Sequence, residues 1–135
     1  GGSYADKRGG LGGSGQIVVL EMESLTSAAS STLVSDTFTA NSVPTKARIV
    51  LFAEISDDLN TDVTASVTRD NTNFDAVTLV DEGYVTGSSG AKIFTGSTPL
   101  TGAAPGQPQV QLRWKIVGSN QTAENKIHGV ALQWK

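Results

Sequence analysis

The sequence contains no cysteine in its 135 residues. That excludes disulfides and thiolate metal sites, and it leaves the redox compartment open. It has a single histidine, His128. Without a second histidine or a cysteine beside it, a conventional zinc site has no ligand set, so no metal is expected. No apolar run approaches the roughly 20 residues of a membrane-spanning helix, so no membrane insertion is expected. Basic residues number ten against thirteen acidic ones, for a net charge of −3. They form no patch interleaved with aromatics, which argues against a nucleic-acid partner. No segment sustains a helical period. Aromatics are 6 % and apolar residues 38 % of the chain. That is little for a large enzyme core but ordinary for one sandwich domain rich in Thr, Ser and Val. The chain opens on Gly rather than Met and shows no signal-peptide pattern. Gly1 therefore reads as a processed end, an engineered end or a cut inside a longer chain.

What is present is a series of short alternating segments separated by turn residues. The clearest lies at residues 108–134. Val110, Leu112, Trp114 and Ile116 alternate with Gln109, Gln111, Arg113 and Lys115, the pattern of a half-buried strand. After a polar loop, a second strand runs over 126–134 and its phase slips at Gly129. A β-bulge there places Ile127, Val130, Leu132 and Trp134 on one face. Both tryptophans of the chain lie in this candidate hairpin, so the core is expected here, with Trp114 buried.

The same reading places a central strand at 46–55 (KARIVLFAEI), with Ile49, Leu51 and Ala53 on one face and Val50, Phe52 and Glu54 on the other. Residues 62–69 alternate, 70–73 (DNTN) form a hairpin turn, and 74–80 pair back. Residues 32–39 give a short strand carrying Leu33 and Phe38. Residues 82–90 read as a glycine-bearing loop, 92–95 as a short strand and 96–108 as a long Gly/Pro/Ala/Thr loop. The fold expected is all-β: an antiparallel, jelly-roll-like sandwich over residues 16–135.

Residues 1–15 hold seven glycines and have little intrinsic order. They read as a linker or as an extended arm that docks on a neighbouring subunit. Tyr4 and Leu11 are the arm's apolar anchors. Residues 16–23 form the first strand, in which Ile17, Val18, Val19 and Leu20 are apolar on both faces, as for burial within a sheet or at a subunit contact. Tyr4, Leu11, Ile17 and Val19 are the candidate assembly residues.

The carboxylates Asp57, Asp58, Asp62, Asp70, Asp75, Asp81 and Glu82 gather in and beside loops. Two such groups can bracket a glycosidic bond, and three with carbonyls can hold Ca²⁺. Neither motif is present, so they read as turn acids, and no catalytic residue or cofactor is assigned. Residues 68–74 (TRDNTNF) resemble the Asp-box hairpin of sialidases and other β-proteins. They depart from it in lacking the Gly, in being one residue short and in having Phe for Trp. In that motif the Asp braces the turn, which is the role expected of Asp70.

Taken together, KARIVLFAEI, TDVTASVTRDN, VQLRWKIVGSN and KIHGVALQW resemble a β-module of structural proteins of tailed bacteriophages, tail-fibre-like proteins of marine phages in particular. The resemblance covers roughly residues 32–134. It implies a virion location, a homo-oligomer with a trimer favoured, contact with other virion proteins and no catalytic residues. The functions it suggests are a tail-fibre or appendage module that binds a host glycan or surface receptor, or a capsid decoration protein. A self-assembling filament subunit joined through the arm is a further alternative. Candidate surface-binding residues are Tyr84, Ser88 and Ser89 in one loop and Thr98 and Thr101 in another.

Overall fold

The computed structural model describes residues 5–7, 18–20 and 23–25 by their backbone, and residues 30–87 and 90–135 in full. The described residues form twelve strands and no helix. In chain order these are β1 (Ala5–Lys7), β2 (Val18–Leu20), β3 (Glu23–Leu25), β4 (Ser30–Val34), β5 (Phe38–Thr39) and β6 (Lys46–Glu54), then β7 (Val63–Thr68), β8 (Phe74–Val77), β9 (Val80–Tyr84), β10 (Lys92–Pro99), β11 (Gln111–Ser119) and β12 (Asn125–Trp134). One sheet runs β1-β2-β12-β6-β10-β9, with β3 also paired to β12. The other runs β4-β11-β7-β8, with β5 also on β11. The strands pair antiparallel and the sheets stack as a jelly-roll-like β-sandwich. The connections β6–β7, β8–β9, β10–β11 and β11–β12 all pass from one layer to the other.

Period-2 patterning sets which side chains meet between the layers. Ala47, Ile49, Leu51 and Ala53 of β6 face inward, beside Ile127, Val130, Leu132 and Trp134 of β12. Opposite them lie Val63, Ala65 and Val67 of β7 with Leu112, Trp114 and Ile116 of β11. All are buried. Fully burying one such aliphatic side chain stabilises the fold by about 1.5–3 kcal/mol. The bulge expected near Gly129 is present. Ile127 pairs with Ala53 and Gly129 with Phe52, so His128 is the extra residue. That one residue restores the phase of the four inward side chains.

Other expectations are corrected. Residues 108–134 are not a hairpin: β11 lies in one sheet and β12 in the other. Trp114 and Trp134 thus enter one core from opposite layers. Alternation reports which side chains turn inward, and it is identical for a hairpin and for an arch between layers. Residues 32–39 are two strands, broken where Ser35 folds in. The Trp114 N–H donates to Ser35 Oγ and the Ser35 N–H to the Trp114 carbonyl, each at 3.0 Å. Residues 74–80 are likewise two strands, since the chain changes sheet between Val77 and Val80. Of the strand predicted over 16–23, the described parts are β2 and the start of β3, both paired to β12 in one register; residues 16, 17, 21 and 22 lie outside the described residues.

The predicted loop 96–108 is also shorter than its composition suggests, because β10 continues to Pro99 and pairs with β6 down to Lys46. Gly96 sits inside that strand for a steric reason. A Cβ there would collide with the Thr78 carbonyl and lie 2.5 Å from Val77 Cγ1. The β8–β9 crossing rests directly on the Gly96 backbone. Gly96→Ala is expected to destabilise by about 1–3 kcal/mol through overpacking, read as a lower urea midpoint with an unchanged slope.

Candidate functional site

The loop carboxylates are the residues from which a site would be built, and the structure shows what holds Asp57, Asp70 and Asp75. Asp70 follows β7 and is fully buried. Its Oδ1 accepts hydrogen bonds from Thr68 Oγ1 (2.9 Å), the Thr72 N–H (2.9 Å) and the Asn73 N–H (2.7 Å). Its Oδ2 accepts from Asn73 Nδ2 (2.7 Å) and from the Ala104 N–H (3.0 Å), 34 residues away. Gly102 passes so close that a Cβ on it would lie 2.7 Å from Asp70 Cγ. Beside it, Arg69 donates to the carbonyls of Gly102 and Pro44. Burial alone raises the carboxyl pKa. The bonds from Asn73, Thr72 and Ala104 outweigh it and hold the group well below the usual carboxylate range. The turn-bracing role expected from the sequence is thus present, and it extends to a second loop.

The other end of the sandwich is tied in the same way. Asp57 accepts from Asn125 Nδ2 (2.8 Å), Thr122 Oγ1 (2.8 Å) and the Thr122 N–H (3.1 Å). The Asn125 side chain, followed by that of Thr122, lowers its pKa. Asn125 is fully buried, and its Oδ1 accepts from the N–H groups of Ser56 and Asp57. Two crossings between the sheets are clasped together by these contacts. Asp75 is likewise engaged, by Thr101 Oγ1 at 2.6 Å and the Thr101 N–H at 3.0 Å. Among the described residues, no group of three His, Cys, Asp or Glu side chains could hold a metal ion.

His128, the bulge residue, turns away from the core and places Nε2 2.7 Å from Glu54 Oε2, with both side chains about one-third exposed. An exposed pair of this kind contributes about 1 kcal/mol or less. His128→Ala is therefore expected to shift the melting midpoint only slightly and to leave oligomeric state unchanged, as read by differential scanning calorimetry and light scattering.

The candidate surface residues do not gather at one place. Tyr84 ends β9 and is 70 % exposed. Lys92 Nζ lies 4.9 Å from its ring centre and 2.9 Å from Asp81 Oδ2. The Lys92 ammonium is the main cause of the lowered pKa of Asp81, and Asp81 in turn raises that of Lys92. Thr98 is buried inside β10 rather than displayed on a loop, and its hydroxyl donates to the Pro99 carbonyl. Thr101 is exposed, but its hydroxyl is committed to Asp75. Tyr84 faces Lys92 at one end of β10, and Thr101 follows Pro99 at the other. The length of that strand, on the order of 20 Å, separates them. Ser88 and Ser89 lie outside the described residues.

Of the candidate assembly residues, Tyr4, Leu11 and Ile17 also lie outside the described residues. The Val19 backbone pairs with Ala131 of β12. The arm is expected on a neighbouring subunit, yet its described part, β1, pairs with β2 of the same chain. An open strand edge on the same chain is the nearest partner for those backbone groups.

Sequence reasoning missed one arrangement on the outer face of the larger sheet. Arg48 lies between Gln133 on β12 and Ser97 on β10. In the next row outward, Lys46 exchanges backbone hydrogen bonds with Lys135. The alternation shows that Lys46 and Arg48 point outward, but only the register of three distant strands brings these five residues together. No protein-family model and no curated relative matches the chain.

Proposed function

We propose that this chain is a non-enzymatic structural module of a bacteriophage virion, carried on a tail fibre or similar appendage and facing the host surface. The observation that supports it best is the use made of the loop carboxylates. Asp57, Asp70 and Asp75 all clasp loops to the sandwich, and none is left as an open pair across a cleft. A sandwich clasped at its connections suits a rigid display element better than an active site that must close on substrate. The segments that carry the phage resemblance supply the middle strands β6, β7, β11 and β12 and the Asp70 turn, so the resemblance concerns the frame of the module. In this reading its partners are further copies of itself, a trimer in a fibre, together with other virion proteins and a host glycan or receptor. No cofactor takes part.

The reading is tested by immunogold electron microscopy of phage particles, using antibodies raised against the purified chain. Label on tail appendages is the expected result. Label spread over the head at lattice spacing would move the protein to capsid decoration, and particles without label would sink the virion reading.

A further inference from the structure

The five residues on the outer face line a hollow of about 350 Å³, within the usual range for small-ligand sites. Three are cations: Lys46, Arg48 and Lys135. Ser97 and Gln133 add a hydroxyl and an amide, and Trp134 is buried beneath. Among the described residues, no lining side chain is acidic, although the chain as a whole has a net charge of −3. Arg48 Nη1 rests 3.4 Å from Gln133 Oε1, which keeps the guanidinium over the sheet. The hollow is therefore a local positive field on an acidic protein, with a planar fork donor at its centre. One row further along, Val50, Ala131 and Thr95 give the face an apolar step.

We propose that this hollow binds an anionic saccharide unit, one bearing a carboxylate or a sulfate. Arg48 takes the anionic group, Lys46 and Lys135 flank it, and Ser97 and Gln133 bond ring hydroxyls. The chemistry favours a sugar over other polyanions. An acidic peptide bound as a strand needs an open sheet edge, and β6 is paired on both sides along the hollow. Single-stranded nucleic acid needs exposed aromatic rings on which bases stack, and the tryptophan here is covered. The inference deepens the proposed host-facing role and rests on it.

The test is calorimetric titration of the full chain at low salt. Probes are polygalacturonate oligosaccharides for the carboxylate, heparin oligosaccharides for the sulfate, and neutral dextran. Binding to at least one of the anionic sugars and none to dextran is expected, and the preferred sugar tells the two anions apart. Arg48→Glu should weaken binding about tenfold or more, the scale of a lost charge-assisted bond. Arg48 is exposed, so the melting curve should hold; Lys46→Gln with Lys135→Gln is the second variant, should the first fail to fold. Affinity unchanged in a folded variant would overturn the site. So would no binding to either anionic sugar, or equally tight binding to polyglutamate or an oligothymidylate. Those outcomes leave particle labelling untouched, and absent particle label leaves the titration untouched, so the two failures are separable.

Discussion

Asp70→Ala is expected to destabilise the protein by about 3–5 kcal/mol, as befits removal of a buried charge from donors aimed at it. The substitution strands the N–H groups of Thr72, Asn73 and Ala104 at once. Against a typical total of about 5–15 kcal/mol for a domain, that is a large fraction. Asp70→Asn should cost less, because one oxygen still accepts, although its amide now meets donors on the other side. Acid should act on the same contacts. The folded-state pKa of Asp70 lies below the unfolded value. The ionised group therefore stabilises the fold fully above the ordinary carboxylate range, and that contribution declines as pH falls below about 4. Urea midpoints taken from pH 7 to pH 3 should draw closer for wild type and Asp70→Asn without meeting, because the folded-state pKa lies well below the ordinary carboxylate range. An Asp70→Ala protein as stable as wild type at pH 7 would show that the two loops hold without the carboxylate.

The second large effect is expected at Trp114. It is 1 % exposed and lies within β11, where that strand is paired to β7. Trp114→Ala should cost about 3–5 kcal/mol, from lost transfer energy and from a cavity that a two-layer core closes only in part. Trp114→Phe should cost much less. Its indole N–H has no acceptor among the described residues, so the ring is kept while an unmatched buried donor is removed. If equilibrium unfolding found the alanine and phenylalanine variants equally stable, ring packing at this position would not be what holds the two sheets together.

These positions show where sequence is informative. The inward rows of β6, β7, β11 and β12, and the phase slip beside Gly129, could be read because local alternation reports burial directly. Asp70 could be read as a turn brace because Thr72 and Asn73 follow within three residues. Its hold on Ala104 could not, since that contact joins loops 34 residues apart. Gly96 misled for a related reason. In isolation Gly-Ser-Thr-Pro has loop chemistry, and only the crossing chain at Thr78 explains a glycine inside a strand. The basic hollow is the extreme case. Lys46, Ser97 and Gln133 become neighbours through register alone, and register between distant strands leaves no mark in composition.

The place of β12 in the larger sheet has a consequence for synthesis on the ribosome. This strand carries residues 125–134, yet it lies between β2 and β6 in the interior of the sheet. A nascent chain that ends before Asn125 leaves β6 with an unpaired flank, β2 paired to β1 alone and β3 without the strand it pairs with. Such a chain offers an apolar, open-edged template to its neighbours. Chains stalled or cut before that point are thus prone to aggregate. The sheet is completed only after Trp134 has cleared the exit tunnel, so stable folding of the sandwich waits for this strand to emerge.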